Sequence, residues 1–299
     1  MGTKLWKARL RKLLVLAVLL ALSPVSGRAE GIRATVFPST LYPGDVARIE
    51  LTWSVEIVEG YVDWQQQRLP LIPLDNGLGG LLVGIPRDLP AGRHDMILEL
   101  SLIGGSRQLQ TLALDVGEKI FPEQHLTLPP QMVRPDPEIL QRHSRERTEL
   151  ERAFARGRRQ RLWNAPFQRP VPGKVLSPFG VQRILNGEPR SYHSGVDLRA
   201  AQGEKVAAAG DGQVLLVADH YFAGKSVYLD HGMGIITMYF HLAEITVQEG
   251  EQVSSGQTLG LAGATGRATG PHLHWGARVH QIRVDPLALL RVLPTDQSR

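Results

Sequence analysis

From Leu162 onward, glycine recurs every few residues between short apolar runs: "KVAAAGDGQVLLVAD", "SVYLDHG", "GIITMYFHL", "ITVQEGEQV" and "QTLGLAG". This spacing constrains the fold more than any other feature of the chain. A helix interior loses about 1 kcal/mol for each glycine relative to alanine, so none of these stretches sustains one. Glycine instead supplies the left-handed backbone that tight turns demand. Short strands joined by such turns predict a compact antiparallel β domain over residues 162–299.

Residues 30–118 carry a second β pattern. "ATVFPSTLYPGDVARIELTW" reads as strand, Pro43-Gly44 turn and strand, with Val46, Ile49 and Leu51 set among polar neighbours. Further runs follow at "EGYVDW", "GGLLVGIP", "HDMILELSLI" and "RQLQTLALDV". Several short strands at this spacing predict an immunoglobulin-like β-sandwich. Residues 119–161 read as a linker, first extended ("KIFPEQHLTLPPQMVR") and then a charged helix. Asp136 is placed to cap that helix, Pro137 suits its first turn, and Gly157 its end. Ile139, Leu140, Leu150 and Phe154 give it one thin apolar stripe. The basic cluster Arg152, Arg156, Arg158, Arg159 and Arg161 reads as a solvated helix end. The expected fold class is therefore mainly β: an N-terminal immunoglobulin-like sandwich, a linker helix, and a C-terminal antiparallel β domain.

The basic pI of about 9.6 does not imply a nucleic-acid partner. Residues 1–29 hold six positive charges (Lys4, Lys7, Arg9, Arg11, Lys12, Arg28) and no acid. Of 34 basic residues, 28 then remain against 29 acidic ones, a formal charge of −1. The basicity belongs to the leader, and nucleic-acid binding loses its main support. Basic residues, the apolar run Leu13–Leu22, and small residues ending at Ala29 read as a signal peptide cleaved after Ala29. Extended to Gly27, the apolar stretch reaches 15 residues, short of the roughly 18 of a membrane span. The expectation is export to the periplasm or the extracellular space, with no stable membrane span after cleavage. With no cysteine, there is no disulfide to support the fold in an oxidising compartment.

Seven of the ten histidines lie between residues 193 and 280. In "YHSGVDL", His193 and Asp197 share a face of an extended segment, with side-chain-free Gly195 between them, a gap over which an ion could sit. In "PHLHW", His272 and His274 share one strand face, while Leu273 and Trp275 point to the other, toward a core. "TMYFHLAE" sets His241 between Phe240 and Leu242, so its side chain must leave the face those neighbours share. A catalytic zinc takes three protein ligands and keeps one position open. His193, Asp197 and one histidine of the His272/His274 pair supply three. His241 and the other histidine are then left uncommitted and able to move protons.

These segments carry a family resemblance. From about Pro172 to Leu287, the motifs "HSGVD", "GDGQV", "LDHG", "YFHL", "VQEGEQVSSGQTLG" and "GATGRATGPHLHW" resemble the LytM/lysostaphin-type zinc peptidases, the M23 metallopeptidase family. The resemblance implies one Zn2+ ion held by His193, Asp197 and His274. It implies His272 and His241 as catalytic residues, and a C-terminal peptidase domain of the LytM type. It also implies cleavage of peptide bonds in peptidoglycan, with stem peptides or cross-links as substrate. Two departures stand out. The tyrosine that some members carry a short way upstream of the first histidine is absent; "ILNGEPRSY" offers Arg183, Asn186 and Tyr192 instead, with no role assigned to any of them. The aromatic Trp275 after HLH is followed by Gly276 rather than an acid.

The expected function is that of a secreted zinc-dependent peptidoglycan endopeptidase. The alternative is a catalytically silent activator or wall-binding regulator of other wall hydrolases. The N-terminal β domain is expected to be a wall-binding module, a module for a regulatory protein partner, or a lid. A biotinyl- or lipoyl-like carrier shares the Gly-rich turns, but Lys205 lacks the flanks of a modified lysine, and a carrier gives no reason for the histidine pattern. His231 is expected to serve a turn, and His94, His125, His143, His220 and His280 to be structural.

Overall fold

The computed structural model describes residues 32–54, 57–74, 78–127 and 136–293. The signal peptide read over residues 1–29 lies outside them. Among the described residues, no helix is long and apolar enough to cross a membrane.

Alternating apolar and polar residues build the first eight strands: β1 (Ile32–Phe37), β2 (Val46–Trp53), β3 (Ile57–Trp64), β4 (Gln67–Pro70), β5 (Ile72–Leu74), β6 (Leu78–Gly84), β7 (Gly92–Leu102) and β8 (Arg107–Val116). They form two four-stranded antiparallel sheets, ordered β1-β2-β6-β5 and β4-β3-β7-β8. Gly44 makes the turn before β2 with φ +90°. Ile49 and Leu51 of one sheet and Val62, Met96 and Leu98 of the other are fully buried. The Trp64 indole donates to the Gly84 carbonyl at 2.9 Å and ties the sheets together. The short strands β4 and β5 have too few residues to show a period, which is why the sequence pattern passes over them.

The stretch read as an extended connection contributes a strand, β9 (Glu123–Leu126). The remaining strands are β10 (Val175–Ser177), β11 (Gln182–Leu185), β12 (Glu188–Tyr192), β13 (Gly195–Leu198), β14 (Lys205–Ala207), β15 (Gly212–His220), β16 (Gly224–Gly232), β17 (Ile235–Ile245), β18 (Gln252–Val253), β19 (Thr258–Ala262), β20 (Leu273–Val279) and β21 (Ile282–Val284). Ten of them join in one sheet with the spine β10-β13-β20-β17-β16-β15-β18. β9 pairs in parallel with β11, which pairs antiparallel with β12. Odd-numbered residues of β20, including Trp275, sit with Tyr239 and Leu229 in the main core. The opposite face carries His274 and is partly roofed by a helix.

That helix spans Pro137–Ala155, with proline in its first turn as expected. Asp136 precedes it but makes no side-chain capping bond. Leu150 and Phe154 pack on Leu216, Tyr228, Ile236 and Met238, and the Arg278 guanidinium lies 4.1 Å above the Phe154 ring. Leu140 is 53% exposed, so the apolar stripe does not run the length of the helix. Polar contacts hold the first half instead. Buried Glu146 accepts from Arg142 at 2.7 Å and from the Tyr221 amide at 2.9 Å.

The described residues form one compact unit. Val46 and Leu82 of the N-terminal strands join the C-terminal core. Arg291 reaches Asp45 at 2.6 Å, and the His280 ring donates from Nε2 to the Leu82 carbonyl at 3.2 Å. A short closing helix, Pro286–Val292, is capped by the Asp285 carboxylate accepting from the Leu287 amide.

Candidate metal centre

Strand register brings the distant motifs together. β13 pairs with β20 so that Asp197 stands opposite His274. β17 pairs with β20 on the other side so that Phe240 also faces His274. A one-residue slip at either seam would turn these side chains to the core face. His193 lies two residues ahead of β13.

His193 Nε2 is 3.0 Å from Asp197 Oδ1 and 3.0 Å from His274 Nδ1. His274 Nδ1 is 2.9 Å from Asp197 Oδ1. One ligand atom from each of the three lies within 4.8 Å of the others. On its far side, the His193 ring donates from Nδ1 to the Pro178 carbonyl at 2.8 Å. A ring so pinned turns its Nε2 toward the carboxylate and His274. Burial lowers the His274 pKa to about 4, against the pull of Asp197, so this ring is neutral at pH 7. Burial alone would raise the Asp197 pKa, but the His193 and His274 rings set against the carboxyl outweigh burial and hold it well below its usual range. Two imidazole nitrogens and a carboxylate oxygen thus converge. A divalent cation satisfies that geometry, and an N, O, N donor set is one that zinc accepts.

The gap over Gly195 is not where an ion fits. A Cβ placed there would meet His274 Nε2 at 2.7 Å and the Trp275 carbonyl at 2.5 Å. The His274 imidazole itself fills that space, and the missing side chain makes room for a ligand rather than for a metal.

His241 reaches the cluster by a local defect. Strand alternation would send it to the core face beside Tyr239. Instead Phe240 and His241 together oppose the single residue Ser226 of β16, where the register shifts, and His241 takes φ +64°. Such a bulge re-aims a side chain. The His241 ring lies 4.8 Å from that of His272 and 6.1 Å from that of His274. Phe240 stacks on His274 at 5.2 Å. His241 donates from Nδ1 to the Thr265 carbonyl at 2.8 Å, and His272 from Nδ1 to the Gly270 carbonyl at 2.8 Å. Each therefore keeps Nε2 free, and that of His272 stands 3.8 Å from Asp197 Oδ1. Burial, and then the neighbouring His272, lower the His241 pKa to about 4, although the Thr265 bond opposes the shift. His241 is neutral and able to take a proton at pH 7.

Sequence reasoning did not find the carbonyls of Pro178, Thr265 and Gly270. Backbone groups leave no residue-type signal beyond the nearby glycines and prolines. Of the three residues without an assigned role, Arg183 stands at the site, with Nη2 3.9 Å from Asp197 Oδ2. Asn186, at φ +52°, and Gly187, at φ +83°, form the β11–β12 hairpin turn, an arrangement suited to that pair. Tyr192 packs edge-on to Phe179 and under Arg87, next to the N-terminal strands.

The other histidines are bound elsewhere. His231 lies inside β16 rather than in a turn, and its ring joins Asp211 and Thr237 at 2.7 Å each. His220 joins Glu149 of the long helix to Tyr228. His94 and His125 make surface contacts to Pro90 and Glu123, and His143 packs edge-on to Phe222.

The family described as Peptidase family M23 matches residues 191–286. A solved structure from Pseudomonas aeruginosa assigned to peptidase M23 is 31% identical, with a TM-score of 0.64, over 84% of this chain and 95% of that one. The chain belongs to peptidase family M23. The peptidoglycan DD-endopeptidase ShyA of Vibrio cholerae serotype O1 is 31% identical over 252 residues, 78% of this chain and 53% of ShyA. The peptidoglycan DD-endopeptidase ShyC of the same organism is 40% identical over 127 residues, 42% of this chain and 29% of ShyC. The chain thus spans about half the length of ShyA and under a third of ShyC.

Proposed function

We propose that this chain is an exported, zinc-dependent endopeptidase that hydrolyses peptide cross-links of peptidoglycan in the periplasm or outside the cell. One observation carries the reading: His193, Asp197 and His274 converge while the Nε2 atoms of His241 and His272 remain uncommitted beside them. The names of ShyA and ShyC support the substrate class.

His193, Asp197 and His274 would hold the ion. Bound zinc supplies Lewis acidity that polarises a peptide carbonyl and acidifies water. His241 and His272 do the proton work. With Nδ1 pinned by a backbone carbonyl, each presents Nε2 in a fixed direction; one takes the proton of the attacking water, and an imidazole returns it to the leaving amine. Phe240 stacked on His274 fixes a ligand ring and keeps water from its face.

The N-terminal sheets are read as an immunoglobulin-like sandwich. Their orders match the A-B-E-D and C′-C-F-G pattern of that architecture when strands are lettered in sequence. We assign them a targeting, partner-binding or lid role; higher activity of residues 162–299 alone would favour a lid. The main test is digestion of purified wall with and without chelator, identifying fragments by mass. Chelator-sensitive release of peptide fragments is expected. A zinc-loaded protein that releases nothing by itself would favour a silent activator and overturn the reading.

A further inference from the structure

Of the three proposed metal ligands, His193 alone lies outside a strand, so sheet register does not fix it. Its hold comes from the turn at residues 178–181. The His193 ring donates from Nδ1 to the Pro178 carbonyl at 2.8 Å. Its amide donates to the Val181 carbonyl at 2.8 Å, and its carbonyl accepts from the Gly180 amide at 2.8 Å. Ring and backbone are thus bound to one short segment, and a shift of that segment carries Nε2 with it. The segment joins β10 to β11 and turns at Gly180, with φ +86°. A turn of this kind is only as fixed as what packs on it.

The packing comes from the N-terminal side of the chain. Arg87, in the connection from β6 to β7, donates from Nε to the Gly180 carbonyl at 2.9 Å. Gly180 is buried, and a buried carbonyl needs a donor. The guanidinium also lies 4.7 Å from the centre of the Phe121 ring and 4.9 Å from that of Tyr192, within cation–π range. Tyr192 is the residue before His193. Phe121 and Tyr192 each stand edge-on to Phe179, at 6.3 Å and 5.9 Å. Phe179 is buried against Gly44 of the sandwich, where a Cβ would come within 2.6 Å of its ring. Gly180 therefore links the two sides: its amide holds His193, and its carbonyl is held by Arg87.

We infer that Arg87 is a positioning residue for the metal centre: it fixes the 178–181 turn, and the turn aims His193 Nε2 at the ion. Arg87 acts through Gly180 and Tyr192 rather than on the ion itself. This rests on the metal-centre reading above and not on which bond is cut. It gives the N-terminal sandwich a task that needs it seated, one that a sandwich swinging away as a lid could not perform. Loss of a direct hydrogen-bond partner of a ligand typically costs 10- to 100-fold in metal affinity; Arg87 stands one bond further out, so about tenfold is expected.

The test compares variants of the full chain by zinc affinity, measured by competition with a chromogenic chelator, and by the urea midpoint of the metal-free protein. Arg87→Gln should weaken zinc binding about tenfold. It should also shift the visible absorption of the Co2+-loaded protein, which reports ligand geometry. Arg87→Lys, which keeps the charge and a donor but not the flat stacking head, should fall between Arg87→Gln and the parent. Trp64→Phe removes the indole bond inside the sandwich. It should lower the urea midpoint and leave zinc affinity and the Co2+ spectrum unchanged. Zinc affinity in Arg87→Gln equal to that of the parent, or lowered no more than in Trp64→Phe, would overturn the assignment, because Arg87 would then support the fold alone. If Arg87→Gln does not fold, Arg87→Lys carries the same comparison. A folded parent protein that binds no zinc would instead remove the metal centre beneath it.

Discussion

Gly195→Ala should damage the metal centre without altering a ligand. The new Cβ would lie 2.7 Å from His274 Nε2, 2.9 Å from its Cε1 and 2.5 Å from the Trp275 carbonyl, where ordinary contact begins near 3.4 Å. Something must give by about 0.7–0.9 Å. Trp275 cannot retreat, since its side chain is fully buried in the core. The imidazole must tilt, yet its Nδ1 is set 2.9 Å from Asp197 and 3.0 Å from His193. Metal sites tolerate about 0.2 Å in ligand position, so the displacement is several times too large. Disturbance of ligand orientation typically costs 10- to 100-fold in metal affinity, and overpacking adds about 1–3 kcal/mol of destabilisation. Zinc affinity measured by competition with a chromogenic chelator, alongside urea denaturation of the metal-free protein, separates the two effects. Gly270→Ala is the control, because a Cβ there meets nothing within 4 Å. Zinc affinity in Gly195→Ala equal to that of the parent would refute the argument that His274 is held in place by packing on Gly195.

Other consequences can be checked in the same preparations. His193→Ala and His274→Ala should each lose zinc and wall-digesting activity together, whereas His241→Ala should keep zinc and lose about 10²- to 10⁴-fold in turnover; a fully active His241→Ala protein would remove that ring from the proton transfer. His231 should make stability pH-dependent. Burial lowers its pKa from 6.5 to about 4, and a directed chain runs from the Ala209 amide through Tyr239 and Thr237 to its Nε2. Because the folded pKa lies below the unfolded one, the unfolded chain binds the extra proton between about pH 4 and 6.5. The contribution is therefore complete above pH 6.5 and fades as pH falls toward 4, by up to about 3 kcal/mol. The gap in urea midpoint between the parent and His231→Asn should shrink by pH 4.5, and an unchanged gap would contradict the sign. Phe154→Ala should loosen the helix from Tyr228 and Arg278 at about 2 kcal/mol, read as faster amide exchange over 137–155.

The sequence by itself determined which residues are available for chemistry and which face each takes within its own strand. Side chains alternate along extended chain, so "PHLHW" splits His272 and His274 from Leu273 and Trp275 before any neighbour is known. Glycine spacing likewise fixed a turn-rich β domain. Only the tertiary structure decided how the pieces meet. The Asp197–His274 pairing depends on the β13–β20 register, which joins residues 77 apart in the chain and is set by burial of Trp275 and Leu273 rather than by anything local. The aim of His241 depends on a bulge that breaks its alternation. The tautomers of three histidines depend on backbone carbonyls that every residue carries and no residue type announces. The nearness of Arg183 to Asp197 is of the same kind: a contact between strands, invisible in either strand alone.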